Sequence, residues 1–257
     1  MNQEDRRKVL IQCLLDENKR YRDVTIPSSE GEQKQLLRGL MNVRFAAPIS
    51  AEFEKIQDEY LQEENAVRGI TTFTELKEVQ PDLYLWRGDI TCLKVGAIVN
   101  AANSGMTGCY QPCHSCIDNC IHTYAGIQLR NYCEELMEKQ GHEEPTGQAK
   151  ITPGFNLPCD YVIHTVGPIV QGRLTKHHEE LLSSCYRSCL SLAEENHVES
   201  IAFCCISTGV FMFPNDRAAE IAVKTVEEYK KENKSTIKVV FDVFSSLDYD
   251  LYKELLE

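Results

Sequence analysis

From about residue 76 onwards, short apolar runs alternate with longer stretches of helical periodicity. The short runs predict buried strands, and the apolar spacing between them predicts helices. Such alternation favours an α/β layered domain with a largely parallel sheet, in which ligands bind beyond the carboxyl ends of the strands. The predicted strands are Leu83–Trp86, Ala97–Asn100, Ala149–Ile151, Tyr161–His164, Ile201–Ile206 and Val239–Phe244, and the predicted helices cover about 117–139, 177–197, 214–232 and 248–256.

The first part of the chain, residues 1–75, has helical spacing of its apolar residues with polar breaks between the segments. We expect a helical extension that packs on the domain formed by residues 76–257, because the extension is too apolar for a free tail. Arg38 and Arg44 are expected to lie on a solvated helix face, and contact with a partner is the alternative.

Composition narrows the classes of function. The chain of 257 residues has a net charge of -12, which argues against broad nucleic-acid binding. It has no apolar run near the roughly 20 residues that span a bilayer, and its charged amino end does not resemble a secretory signal. We therefore expect a cytoplasmic protein. The twelve cysteines are then predicted to be mostly reduced, buried thiols rather than a disulfide framework.

Two strand-to-loop segments carry side chains suited to ligand binding. Asn100 and Asn103, in and after the strand at 97–100, supply carboxamides that can bond hydroxyls or nucleobases. The loop at 207–213 contains one glycine and precedes a helix that we expect to start at Pro214. Backbone N–H groups before a helix start suit a phosphate. Ordinary turns and an ordinary loop between strand and helix are the alternatives.

A cluster of cysteines and a histidine indicates a metal site. Cys109, Cys113, His114 and Cys116 lie within eight residues and can converge on Zn²⁺. One short loop gives three ligands more easily than four, and an open fourth position is typical of catalytic zinc. Asp118 follows at the start of the next predicted helix, where a first-turn acid is also common.

His122 lies four residues after Asp118, so the two share one helix face. A hydrogen-bonded histidine of the core is the interpretation that we prefer for His122 over direct catalysis.

These segments together resemble a macrodomain, the module that binds ADP-ribose. The matching motifs include GDIT at 88–91, IVNAAN at 98–103, YVIHTVGP at 161–168 and ISTGVFMFP at 206–214. The usual run of glycines before the first helix is replaced here by GCYQPCHSC at 108–116. This replacement and the helical extension resemble the zinc-dependent macrodomains that are associated with class M sirtuins.

The resemblance implies a three-layer α/β/α sandwich with a mixed central sheet. It implies a hydrolase that removes mono-ADP-ribose from carboxylate side chains of a modified protein and releases ADP-ribose. The modified partner would be a lipoylated carrier protein modified by a sirtuin-type transferase.

The resemblance also assigns roles to individual residues. One Zn²⁺ per chain would be held by Cys109, His114 and Cys116, with Cys113 outside the ligand set. Asp89 and the backbone of Ile90 would bind adenine. Asn103 would contact the distal ribose, and Asn103 and Asp118 would be catalytic. The diphosphate would be wrapped by Ser207, Thr208, Gly209, Val210 and Phe211.

Three other functions fit parts of this pattern. A non-catalytic reader of ADP-ribose would share every binding residue. A redox-sensing protein would use the clustered thiols near the helix start, where the thiol pKa can be depressed. A closed structural zinc site would use Cys113 as a fourth ligand, although its neighbour His114 strains that geometry.

Overall fold

The computed structural model describes residues 1–257 and begins with three helices. These are α1 (Gln3–Glu17), α2 (Glu30–Val43) and α3 (Ala51–Arg68). The residue before each of them caps the helix, because a side-chain oxygen of Asn2, Ser29 or Ser50 accepts from a backbone N–H of the first turn. Their inward faces form an apolar cluster of their own, which includes Leu10, Ile11, Leu37, Phe53 and Tyr60.

The remaining elements alternate between strands and helices, as the apolar pattern predicts. The strands are β1 (Thr71–Thr72), β2 (Glu78–Gln80), β3 (Leu83–Arg87), β4 (Leu93–Lys94), β5 (Ala97–Ala102), β6 (Ala149–Pro153), β7 (Tyr161–Val166), β8 (Ser200–Phe203) and β9 (Lys238–Val243). The helices are α4 (Ile117–Ala125), α5 (Ile127–Gln140), α6 (Lys176–Glu195), α7 (Asn215–Asn233) and α8 (Ser246–Leu256).

The main sheet has seven strands in the order β2-β3-β9-β8-β5-β7-β6. The five central strands run parallel, and both edge strands, β2 and β6, pair antiparallel with their neighbours. The predicted parallel centre is confirmed, and so is the mixed α/β sandwich that the resemblance implies. A separate two-stranded ladder joins β1 to β4.

Helices cover both faces of this sheet. On one face, Tyr186 of α6 packs on Phe203 of β8, with ring centroids 4.8 Å apart, and Tyr252 of α8 packs on Phe241 of β9. Neighbouring residues of a strand point to opposite faces of the sheet. Asn100 of β5 points to the face opposite these aromatic pairs and bonds Asp118 of α4. Helices α2 and α3 then pack on α4, so the extension forms a further layer above this face.

The structure corrects three element boundaries. The single helix predicted over 117–139 is two helices, separated at Gly126, whose φ of 99° is in the left-handed region that favours glycine. The strand predicted over 201–206 ends at Phe203, where the loop begins. Pro214 lies just before α7, at the N-cap position, rather than at the first helical position. No helix of the chain combines the length and the apolar character needed to cross a bilayer.

Candidate active site

The predicted ligand-binding residues lie together at the carboxyl ends of the parallel strands. Asp89 follows β3, Asn103 follows β5, and Ser207 lies in the loop that follows β8. Because these three strands are parallel members of one sheet, their carboxyl ends lie on the same side of the molecule. The carboxyl ends of these strands therefore bring together the three predicted segments, which are far apart along the chain.

Asp118 is buried and is held by two carboxamides. Asn100 Nδ2 donates to Asp118 Oδ1 at 2.8 Å, and Asn103 Nδ2 donates to Asp118 Oδ2 at 3.2 Å. Burial raises the pKa of Asp118 to about 6, while the hydrogen bond from Asn100 acts in the opposite direction. Asp118 is a first-turn acid of α4, and it also joins the two asparagines of the IVNAAN motif.

Asn100 is fully buried, so the interpretation of its carboxamide as a ligand contact is wrong. Its Nδ2 lies 3.1 Å from Nδ1 of His164, and Nε2 of His164 lies 3.0 Å from Thr152 Oγ1. Because an amide nitrogen only donates, Nδ1 of His164 is the acceptor and its proton is on Nε2. Asn100 thus holds Asp118 from the interior of the domain and is not accessible to a ligand.

His122 lies in the core, as predicted, but without a hydrogen bond. Neither ring nitrogen has a partner, and Nε2 is 3.7 Å from Asp118 Oδ1. Burial lowers the pKa of His122 well below its usual range, and the nearby His164 and Arg130 act in the same direction. The ring is therefore neutral, and the predicted hydrogen bond is absent because the nearest carboxylate oxygen is too distant.

Donor atoms of Cys109, His114 and Cys116 converge in the loop between β5 and α4. All three lie within 4.8 Å of one another, and Cys109 Sγ is 3.7 Å from His114 Nδ1. Two sulfurs and one imidazole nitrogen are a donor set that suits zinc. Cys113 faces away, with its Sγ 3.4 Å from the carbonyl oxygen of Gln35. The residues present therefore fit a three-ligand zinc ion and leave Cys113 outside the set.

The helical extension holds this loop from the outside. Asn42 Oδ1 of α2 accepts from the backbone N–H of Cys113 at 2.9 Å, and Asn42 Nδ2 donates to Thr123 Oγ1 of α4 at 3.0 Å. Arg38 also contacts the loop and Asn119, so its predicted solvated position is wrong. The side chain of Arg44 is only 9% exposed, so its predicted solvated position is wrong as well; it pairs with Glu17 and donates to nearby backbone carbonyl oxygens.

On the other side of the site, Asp89 belongs to a tight polar network. Its Oδ1 accepts from the backbone N–H of Thr91 at 3.0 Å and from Thr91 Oγ1 at 2.6 Å. Its Oδ2 accepts from the guanidinium of Arg68, the last residue of α3. The sequence pattern gave no signal for Arg68, because the pairing joins residues from two separate layers.

The loop at 207–211 presents free backbone donors. The N–H groups of Gly209, Val210 and Phe211 donate to no protein acceptor, and Ser207 Oγ is buried without a partner. Ser207 has a φ of 67° and lies close to the backbone of Gly167, where an added Cβ would be 2.1 Å from Ser207 Oγ. Successive free N–H groups ahead of α7 are suited to an anion.

Comparison with known proteins agrees with this architecture. Residues 99–222 match the family model described as "Macro domain". A protein of Treponema medium named "Protein-ADP-ribose hydrolase" is 62% identical over the full length of both chains. The chain belongs to the macrodomain family.

Two further relatives place this macrodomain within the family. A Staphylococcus aureus (strain MRSA252) protein, also named "Protein-ADP-ribose hydrolase", is 50% identical over 96% of this chain and 95% of its own. The crystal structure of the Trypanosoma brucei macrodomain in complex with ADP-ribose is 30% identical, has a TM-score of 0.67, and covers 86% of this chain and 95% of its own. The similarity to the two bacterial relatives thus includes the helical extension, which lies outside the matched family model.

Proposed function

We propose that this macrodomain is a zinc-dependent hydrolase that removes mono-ADP-ribose from carboxylate side chains of modified proteins. The observation that carries the proposal is that the possible metal ligands lie next to Asn103 and Asp118, at the carboxyl ends of the parallel strands. The converging donors of Cys109, His114 and Cys116 lie in the loop that joins Asn103 to Asp118. The names of the bacterial relatives and the free N–H groups of the loop at 207–211 support the same activity.

The nucleotide would bind along these strand ends, from Asp89 to Asn103. Asp89 and Ile90 would take the adenine, and the free N–H groups of Gly209, Val210 and Phe211, with Thr208 and the hydroxyl of Ser207 beside them, would hold the diphosphate. The distal ribose would then lie near Asn103 and the cysteine-containing loop.

The hydrogen bonds of Asn103 leave it one free acceptor position. Its Nδ2 donates to Gly108 O and to Asp118 Oδ2, both at 3.2 Å, and its Oδ1 accepts from the N–H of Gly105 at 3.0 Å. Both amide protons are thereby used, and one lone pair of Oδ1 remains. Asn103 would use that lone pair to accept from a hydroxyl of the distal ribose and orient the sugar for attack.

Asp118 would position the attacking water. Each of its oxygens accepts one hydrogen bond from an asparagine and keeps a further lone pair for a water proton. Hydrolysis adds water across the bond between ribose C1 and the ester oxygen, so the hydroxyl goes to the sugar and the proton to the released carboxyl group. A bound zinc ion would supply Lewis acidity, which polarises an oxygen that binds to it.

The modified partner that we propose is a lipoylated carrier protein that a sirtuin-type transferase has ADP-ribosylated. The net charge of -12 also disfavours a polyanionic substrate such as nucleic acid. The acceptor chemistry can be tested separately from the identity of the partner, because a carboxylate ester of ADP-ribose can be presented on any protein.

The test combines a turnover assay with calorimetry on the full chain. We expect release of ADP-ribose from a carboxylate-linked ADP-ribosylated protein, about one zinc per chain by elemental analysis, and loss of turnover with a chelator or with Cys116→Ser. Full turnover with both treatments would remove zinc from the mechanism. Tight binding of ADP-ribose without turnover would indicate a reader, and reversible disulfides without bound metal would indicate a redox protein.

A further inference from the structure

Arg68 connects the helical extension to the carboxylate of Asp89. It is the last residue of α3, and its guanidinium lies over the ring of Tyr124 in α4, with Cζ 3.5 Å from the ring centroid. Its Nη2 donates to Asp89 Oδ2 and, at 2.8 Å, to Thr91 Oγ1. Its Nη1 donates to Asn65 Oδ1 at 3.2 Å. The stacking and these bonds hold the guanidinium in one orientation.

We propose that Arg68 is a positioning residue for base recognition and makes the site selective for a purine with a 6-amino group. This inference rests on the proposed function, since it takes Asp89 as the group that meets the base. Arg68 would act through Asp89 rather than by touching the nucleotide. The extension would then contribute to the choice of ligand as well as to packing.

The hydrogen bonds of Asp89 show why one base edge is favoured. An ionised carboxylate offers about four lone-pair positions. Two on Oδ1 are taken by the backbone N–H and the hydroxyl of Thr91, and one on Oδ2 is taken by Arg68. One position on Oδ2 remains, and the side chain of Asp89 is 42% exposed, so that position can be reached by a ligand.

The remaining position accepts one N–H and donates nothing. An ionised carboxylate is an acceptor only and has no proton to offer. An exocyclic amino group supplies the hydrogen that this position needs. A 6-oxo group would place a second acceptor against an anion, with no hydrogen between them, and would be rejected. Without Arg68 the carboxylate loses one of the three contacts that fix its orientation and can turn its free position away from the base. The bond to the 6-amino group, and with it the preference for that group, would then weaken.

The test measures binding of two nucleotides to the full chain by calorimetry. The ligands are ADP-ribose and inosine-diphosphate ribose, which carries a 6-oxo group in place of the 6-amino group. The main variant is Arg68→Met, because methionine keeps an apolar stem over Tyr124 and removes the charge and every donor. Arg68→Lys keeps the charge and loses the planar pair of donors. Arg6→Met is the matched control, since Arg6 lies in α1 of the same extension and bonds Glu59, Glu63 and Gln3, all within the extension.

We expect the wild-type protein to prefer ADP-ribose by at least about tenfold, the effect of one hydrogen bond to a charged acceptor. Arg68→Met should raise the Kd for ADP-ribose about tenfold and leave the Kd for the inosine compound within about twofold, so that the preference collapses. In turnover assays KM should rise while kcat stays within about twofold, because the base is remote from the bond that breaks. The preference of Arg68→Lys for ADP-ribose should lie between that of the wild type and that of Arg68→Met. Arg6→Met should match the wild type.

Other outcomes would overturn the inference. A folded Arg68→Met or Arg68→Lys protein that keeps the full wild-type preference would show that Arg68 does not position Asp89. Equal loss of affinity for both ligands would show a structural role only. Equal binding of both nucleotides by the wild type would also refute the selectivity. If the wild type bound neither nucleotide, the proposed function itself would fail, and this result is distinct from the others.

Discussion

Arg38 of helix α2 donates a hydrogen bond from Nη2 to the backbone carbonyl oxygen of His114, at 2.7 Å. The same Nη2 is 2.9 Å from Asn119 Oδ1 in α4. One side chain of the extension thus joins the middle of the cysteine-containing loop to the helix that follows it. His114 lies between Cys109 and Cys116 along this loop, so the contact with Arg38 helps to orient the proposed ligand set, together with the bonds that Asn42 and Asn119 make to the loop.

We therefore expect Arg38→Ala to weaken zinc binding about tenfold, since contacts that orient metal ligands typically affect affinity by 10- to 100-fold. Competition with a chromogenic chelator would measure the affinity. Arg44→Ala is the matched control, because Arg44 follows the same helix but its guanidinium bonds Glu17 and carbonyl oxygens of residues 45–48 and none in the cysteine-containing loop. Unchanged zinc affinity in a folded Arg38→Ala protein would show that the loop holds its shape alone.

Cys113 provides a test of the three-ligand set. Its Sγ contacts the carbonyl oxygen of Gln35 and is not among the donors that converge. Cys113→Ser should therefore retain about one zinc per chain, whereas Cys109→Ser should lose most of its metal, because a serine hydroxyl is a poor zinc ligand. Elemental analysis of the purified proteins distinguishes them. Loss of metal in Cys113→Ser would favour the closed four-ligand site.

The buried hydrogen bonds of Asn100 should contribute to the free energy of unfolding. Asn100→Ala removes the donor to Asp118 Oδ1 and the partner of His164 Nδ1, both in the buried interior. We expect the free energy of unfolding to fall by about 1–3 kcal/mol, the range for leaving a buried polar group without its hydrogen bond. Urea denaturation measures this change. Ser104→Ala, which removes an exposed hydroxyl bonded to Glu143, should change stability much less.

The lowered pKa of the buried His164 should make the stability of the fold depend on pH. Burial lowers its pKa to about 3, whereas an unfolded histidine titrates near about 6.5. Below pH of about 6.5 the unfolded chain therefore binds a proton that the folded chain does not, so stability falls as the pH falls towards 3. Between pH 7 and 5 the loss from this residue is about 2 kcal/mol.

The pH effect can be isolated with a variant. Asp118 acts in the opposite direction between about 6 and 3.8, because its raised pKa makes the folded state bind the proton first. The comparison is between the wild type and His164→Gln, which removes the titrating ring and keeps a side chain that can bond to Asn100 and Thr152. The difference in unfolding free energy between the two proteins should shrink as the pH falls from 7 to 5. A constant difference would show that His164 does not resist protonation.

Local pattern predicted much of the domain because each feature depends on near neighbours in sequence. Strand-length apolar runs predicted β3, β5, β7 and β9. Spacing predicted a metal cluster with four candidate ligands, and the resemblance singled out Cys109, His114 and Cys116, whose donor atoms converge. The break between α4 and α5 was missed because Gly126 fits a helical period. Its left-handed φ, and the approach of Gln128 Oε1 and Gln57 Nε2 to 2.5 and 2.8 Å from an added Cβ, become visible only in the folded chain.

The amino-acid order by itself determined the alternation of strands and helices and the chemistry of each loop, since periodicity, turn residues and donor spacing are local properties. Tertiary structure decided which polar groups meet. It placed Asn100 beneath Asp118, Arg38 against the cysteine-containing loop, and Arg68 on Asp89. These pairs lie 18, 76 and 21 residues apart, so no local pattern encodes them. The first pair forms where α4 packs on β5, and the other two form where helices of the extension pack on the domain, because buried polar groups need partners.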